Sequence, residues 1–270
     1  MEKYSRSAAG KVAIVSGGTS GIGLETVRAL ARAGVRVYAL SRHAAPGLNH
    51  IACDVADEAS VRAAVQAVLA KEGRVDLLVN CAGFGISGAV ECTDPADAHR
   101  QLEVNLFGAD RLARAVLPAM RAQGGGRIVN VSSVAAVTPI PFQAWYSVSK
   151  AGLNAYTLAL ANEVKPFGIS VCAVLPGDIR TGFTAARDKS AAGDDIYGGR
   201  IGRSVAKMEK DEQNGMSAAF AGRQIAKIAL KKRVKPYYAL GLAYKACCVL
   251  AKLLPARALR LALGRLYAEC

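Results

Sequence analysis

The chain has 270 residues, 52% of them apolar, and a formal net charge of +14. That apolar content argues against disorder, and the length suffices to bury one substantial α/β core. The seven cysteines (53, 81, 92, 172, 247, 248 and 270) fall at no metal-ligand spacing, and His43, His50 and His99 stand alone, so no metal site is expected. No apolar run reaches the ~18 residues of a spanning helix, and no signal-peptide pattern opens the sequence. The expected setting is reduced and cytoplasmic.

Val12-Ala13-Ile14-Val15-Ser16 is short, apolar and β-branched, and predicts a buried strand. Gly17-Gly18-Thr19-Ser20-Gly21-Ile22-Gly23 follows, then an amphipathic segment to about Ala33. Strand, glycine turn and helix in that order let the backbone approach a pyrophosphate at a helix N-terminus, where N–H groups lack partners. Further strands are predicted near 35–40, 49–53, 75–80, 126–132 and 169–175, with helical patterns between most of them. This alternation implies a parallel sheet covered by helices. The strand that starts near Arg127 carries Ser133 at its carboxyl end, where α/β folds place their chemistry. Thirteen residues on is Tyr146, and Lys150 stands four beyond it, hence on the same helical face. A tyrosine with a pKa near ~10 is a poor base at neutral pH, and a nearby ammonium favours its phenolate. After Thr181 a polar, glycine-containing stretch holds Phe183, Tyr197 and a charged helical pattern near 200–212. A last strand is predicted near 237–240, and two apolar segments then flank Pro255.

In order, the glycine motif, Asp54, Asn80-Cys81-Ala82-Gly83, Asn105, Ser133, Tyr146 with Lys150, and Pro176-Gly177-Asp178-Ile179-Arg180-Thr181 resemble the short-chain dehydrogenase/reductase family over roughly residues 10–241. Cys81 departs from that family's usual second asparagine and is expected to be a packing variation. The resemblance implies a Rossmann-type, doubly wound parallel β-sheet flanked by helices. It implies one domain over 1–241, with 182–216 as a substrate lid and 242–270 as a basic amphipathic helical tail. It also implies hydride transfer without a metal. Tyr146 would give or take the proton, Lys150 would lower the Tyr146 pKa and hold the nicotinamide ribose, Ser133 would orient the carbonyl, and Asn105 would hold a relay water. Strand alternation turns the adjacent Ser132 to the other face. Cofactor contacts are implied for Gly17, Thr19, Ser20, Gly21, Ile22 and Gly23, and for Asn80, Ala82 and Gly83. Asp54 would bind the adenine amino group beside Val55. Pro176, Gly177, Ile179 and Thr181 would lie along the nicotinamide.

Dinucleotide folds that prefer NAD place an acid at the end of the second strand to bind the ribose 2′-OH. Here Ser41 and Arg42 stand there, and a hydroxyl with a guanidinium welcomes the 2′-phosphate of NADP(H). Phe84, Phe142, Trp145 and Phe183 are expected to wall an apolar pocket around Ser133 and Tyr146, suited to a steroid or lipid ketone or alcohol. The expected activity is that of a hydroxysteroid dehydrogenase working as a homodimer or homotetramer. Acyl-dihydroxyacetone-phosphate reductase and 3-oxoacyl-carrier-protein reductase are the enzymatic rivals. A cofactor-binding regulator is the non-enzymatic one, against which the retained Tyr146 and Lys150 speak.

From Met216 to Cys270 there are eleven Lys or Arg and one acid, Glu269, so +10 of the chain's +14 lies in this part. Lys245 and Lys252 share one helical face; Arg257, Arg260 and Arg265 form another basic stripe. Basic stripes beside Leu, Val and Tyr suit peripheral contact with an anionic membrane, against packing on the domain or an oligomer partner. Nucleic acid is not expected, since no recognition module accompanies the charge.

Overall fold

The computed structural model describes residues 8–269. Its main sheet contains β1 (Val12–Ser16), β2 (Arg36–Ser41), β3 (Asn49–Ala52), β4 (Leu77–Asn80), β6 (Gly126–Val131), β7 (Ile169–Leu175) and β11 (Tyr237–Ala239). These seven strands run parallel in the order β11-β7-β6-β4-β1-β2-β3. Two small pairs lie apart from it, β5 (Ile86–Ser87) with β9 (Asp188–Lys189) and β8 (Ile179–Arg180) with β10 (Met216–Ser217). The helices are α1 (Gly21–Arg32), α2 (Glu58–Glu72), α3 (Pro95–Leu102), α4 (Gly108–Ala122), α5 (Ala144–Val164), α6 (Arg200–Gln213), α7 (Ala218–Ala229), α8 (Leu242–Leu253) and α9 (Ala256–Tyr267).

β1 is buried at every position because the sheet is covered on both faces. Val12 and Ile14 enter the core beneath α2, α4 and α5, whereas Ala13 and Val15 enter the one beneath α1 and α7. This period of two repeats in β4, where Leu77 and Val79 face one side and Leu78 the other. The chain builds outward from β1 to β3, then restarts at β4 on the other side of β1. The carboxyl ends of β1 and β4 therefore splay around a crevice, the place such folds bind ligands. Tyr244, Cys247 and Cys248 of α8 pack near Val134, Ala173 and Leu175, which brings the C-terminal helices to the same edge of the sheet.

Candidate active site

β1 ends at Ser16, whose hydroxyl accepts the N–H groups of Cys81 (3.1 Å) and Ala82 (3.2 Å) and ties the two strand ends together. Gly17 has φ +62°, and a Cβ there would sit 3.0 Å from the Ala82 backbone. A Cβ on Gly23 would lie 2.1 Å from the Gly17 carbonyl oxygen, so helix and turn close on each other only without side chains. Ser20 caps α1 with no side-chain hydrogen bond, which leaves first-turn N–H groups for an anion. A cradle of this kind fits a dinucleotide pyrophosphate.

Tyr146 and Lys150 occupy the first turns of α5, and Ser133 follows β6. The Ser133 hydroxyl and the Tyr146 phenol both face the cleft, and Ser133 is near enough to favour the phenolate. Ser132 turns the other way and donates to the Lys150 carbonyl at 3.1 Å, as strand alternation predicts. Asn105 lies buried in a π-turn, Glu103–Phe107, between α3 and α4. Its Nδ2 donates to the Phe84 carbonyl (2.9 Å) and Ser149 Oγ (3.1 Å), and its Oδ1 accepts the Phe84 N–H at 3.0 Å. Single π-turns of this type recur at functional sites because they re-aim one side chain. A Cβ on Gly83 would meet Asn105 Oδ1 at 3.0 Å and Lys150 Nζ at 3.5 Å, so the loop after β4 passes closely between them.

Burial pushes the Tyr146 phenol up to about 12, offset in part by Ser133; Glu212 adds to the rise and Arg187 opposes it. Burial also drags the Lys150 ammonium down to about 8. Lys150 is not among the groups that shift the Tyr146 phenol here; its Nζ donates to the Val131 carbonyl at 2.9 Å and stands 5.7 Å from the Tyr146 ring centre.

Above these groups opens a cleft of about 600 Å³. Phe183 covers Tyr146 at 5.7 Å between ring centres, and the Arg187 guanidinium lies 5.7 Å from the Phe183 ring. The Arg187 side chain is wholly buried and paired with Glu212 of α6. The opposite wall comes from the C-terminal helices, through Tyr244, Cys247, Leu263, Leu266 and Tyr267. Tyr244 donates its hydroxyl to Asp178 Oδ2 at 2.6 Å, and its ring occupies the space a Gly177 Cβ would need. Asp178 lines the cleft, its carboxyl pushed up by burial, and has no ion-pair partner among the described residues.

Of the residues expected at the site, Gly17, Ser20, Gly21, Ile22, Gly23, Ala82, Gly83, Phe84, Ser133, Tyr146, Lys150, Pro176, Gly177, Ile179, Thr181 and Phe183 line this one cleft. Thr19, Ser41, Arg42 and Asp54 stand beyond it, at the carboxyl ends of β1 to β3. Thr19 Oγ1 donates to Ser41 Oγ at 3.0 Å, and Ser41 passes its own hydrogen to the His43 carbonyl at 2.6 Å. Arg42 is exposed, with no ion pair among the described residues. Asp54 accepts the Ala56 N–H at 2.9 Å. Asn80, Val55 and Phe142 do not line the cleft. Asn80 donates to Asn130 Oδ1 at 2.8 Å inside the core, because a buried amide on β4 must find a partner there. Val55 is buried against Gly108, where a Cβ would lie 2.8 Å from Val55 Cγ2. Phe142 packs edge-on against Tyr197 at 5.6 Å and does not line the cleft, since its backbone takes the left-handed φ of 58°. Cys81 packs at the margin of the core under α1 and also lines the cleft.

Tyr244 and Glu212 at the cleft, Arg187 paired with Glu212, and His50, whose Nε2 lies 3.0 Å from the Ser41 carbonyl oxygen, carry no local sequence signal. Asp178 stands within the Pro176–Thr181 motif, where no role was expected of it.

The family description "short chain dehydrogenase" matches residues 11–192. A 3-ketodihydrosphingosine reductase of Bacteroides thetaiotaomicron is 38% identical over 227 residues, covering 82% of this chain and 84% of its own. Among solved structures, a short-chain dehydrogenase from Streptomyces avermitilis aligns with a TM-score of 0.80 at 30% identity, over 94% of this chain and 95% of its own. A 3-ketoacyl-(acyl-carrier-protein) reductase from Brucella melitensis, solved with NADH, aligns at 0.72 and 25% identity, over 86% and 97%. Those matches span the same strands that gather the glycine cradle, Ser133, Tyr146 and Lys150, and the chain accordingly belongs to the short-chain dehydrogenase family, an oxidoreductase that works with a nicotinamide cofactor.

Proposed function

We propose that this protein is an NADP(H)-dependent reductase of a long-chain lipid ketone bearing an amine beside the carbonyl, as in 3-ketodihydrosphingosine. The bound cofactor would supply the hydride. Tyr146, kept protonated by its burial, donates the proton to the carbonyl oxygen, and the Ser133 hydroxyl holds that oxygen and steadies its developing charge. Lys150 and Asn105 share the volume behind the tyrosine, where a proton can be resupplied. Ser41, Thr19 and the free Arg42 guanidinium, with no acid at the end of β2, support NADP(H) over NAD(H).

One observation carries the substrate reading: Asp178, a partly buried carboxyl bonded to the Tyr244 hydroxyl and without an ion-pair partner among the described residues, lines a cleft whose far wall is apolar C-terminal helix. An amine next to the reacting carbonyl would pair with that carboxylate, while an alkyl chain would run along Cys247, Leu263 and Leu266. A hydroxysteroid fills an apolar cleft equally well but offers Asp178 no cation. The acyl-carrier-protein reading gives it none either. A second copy of the chain is proposed to cover the exposed Val148 and Leu158 of α5, consistent with a homodimer or homotetramer.

The test is NADPH consumption with a long-chain 2-amino-3-keto lipid, its N-acylated form, a set of ketosteroids, an acyl-dihydroxyacetone phosphate and an acetoacetyl thioester. The amino ketone should give the highest kcat/KM. Asp178→Asn should lower that value ~10- to 100-fold, the scale of a charged hydrogen bond, and leave the N-acylated form little changed. Preference for a steroid or thioester, or indifference to Asp178→Asn, would refute the amino-ketone reading.

A further inference from the structure

We propose that α8 and α9 form a docking surface for an anionic lipid bilayer, and that the lipid substrate enters the cleft across it. The entry step rests on the lipid-ketone reading above; the docking surface does not. Each helix has two different faces. Inward, Tyr244 and Cys247 of α8 and Leu263 and Tyr267 of α9 line the cleft. Outward, α8 presents Leu242, Val249, Leu250 and Leu253 at 83%, 58%, 54% and 75% exposure, a density of large apolar groups found on no other helix of the described chain. Leu266 belongs to both faces: it lines the cleft and is 51% exposed, so the cavity reaches this surface at its rim. Neither helix contains a fully buried residue.

The charge of this face selects its occupant. Lys245, Lys252, Arg257, Arg260 and Arg265 are all exposed, and none forms an ion pair among the described residues. The only acid in 242–270 is Glu269. Some guanidinium groups elsewhere have carboxylate partners, as in Arg74–Asp76, Arg100–Asp188 and Arg114–Glu58, whereas no cation of these two helices does among the described residues. A second copy docked face to face through these helices would set the cationic surface against itself. Apolar side chains interleaved with unpaired cations match the boundary between acyl chains and anionic headgroups. Among the described residues no helix is long and apolar enough to cross a membrane, so in this proposal the pair lies on the bilayer.

The experiment is flotation of the full chain with phosphatidylglycerol/phosphatidylcholine vesicles and with pure phosphatidylcholine vesicles. Two variants are compared, Lys245→Glu/Arg257→Glu/Arg260→Glu and Leu242→Ser/Leu253→Ser. NADPH binding and turnover of a short water-soluble ketone report the integrity of each. The wild type should bind the anionic vesicles and release with added salt. Each variant should bind at least ~10-fold more weakly, given about a kcal/mol per basic residue at such a surface. Both should turn over vesicle-borne ketone correspondingly more slowly and the soluble ketone as before. Failure of the wild type to bind anionic vesicles overturns the proposal. So does a variant that binds like wild type, or one that changes sedimentation size and not vesicle binding, which would assign the face to a second copy. Vesicle binding with no turnover of any lipid ketone would leave the docking surface standing and remove the substrate reading.

Discussion

Lys150 is buried and Tyr146 half-buried beside it, and desolvation shifts them in opposite directions, the phenol to about 12 and the ammonium to about 8. The phenol therefore stays protonated at neutral pH, the state a reductase needs, and Tyr146→Phe should lose at least ~10²-fold in turnover while still binding NADPH. The lysine makes a different prediction. Its folded pKa lies below the ordinary 10.5, so between pH 8 and 10.5 the unfolded chain binds more protons and wild-type stability rises with pH. Below about pH 8 the cost of the buried charge is fully present, of the order of 3 kcal/mol. Lys150→Met removes it, so the variant's stability relative to wild type should fall by up to that amount as pH rises through the window, measured by urea unfolding at several pH values. A constant difference would show the lysine to be solvated. Arg42→Ala should erode the preference for NADPH over NADH by roughly 1.5–3 kcal/mol in kcat/KM, the worth of a charged hydrogen bond; an unchanged ratio would remove Arg42 from the 2′-phosphate.

At the scale of elements, the glycine turn was legible because its chemistry is local: a Cβ at Gly23 would collide with the Gly17 carbonyl six residues away. Ser133, Tyr146 and Lys150 were legible because strand and helix periods fix which way neighbours point, as Ser132 illustrates. What the sequence hid depends on tertiary docking. The inner and outer faces of α8 read alike until its partner is known, so Tyr244 could not be aimed at Asp178, 66 residues before it. Nor does spacing show that Arg187 reaches Glu212 or that Asn80 turns into the core. Gly177 tests this docking, because its Cβ would lie 2.1 Å from the Tyr244 ring. Gly177→Ala should cost about 1–3 kcal/mol through overpacking. Adding Tyr244→Ala should remove most of the clash, a non-additivity read from urea unfolding of the four variants; strictly additive effects would mean that ring and glycine do not touch.

For the whole molecule, a both-faces-buried parallel sheet sets the cofactor crevice, and the C-terminal helices turn that crevice into an apolar cleft with a cationic exterior. Reduction of a lipid ketone with NADPH by this combination, the activity proposed above, is tested by the kcat/KM for a long-chain 2-amino-3-keto lipid with each of NADPH and NADH. Turnover should be faster with NADPH, faster than with ketosteroids or an acetoacetyl thioester, and abolished by Tyr146→Phe. Turnover of none of the lipid ketones by folded, NADPH-bound protein, or equal efficiency with the two cofactors, would contradict it.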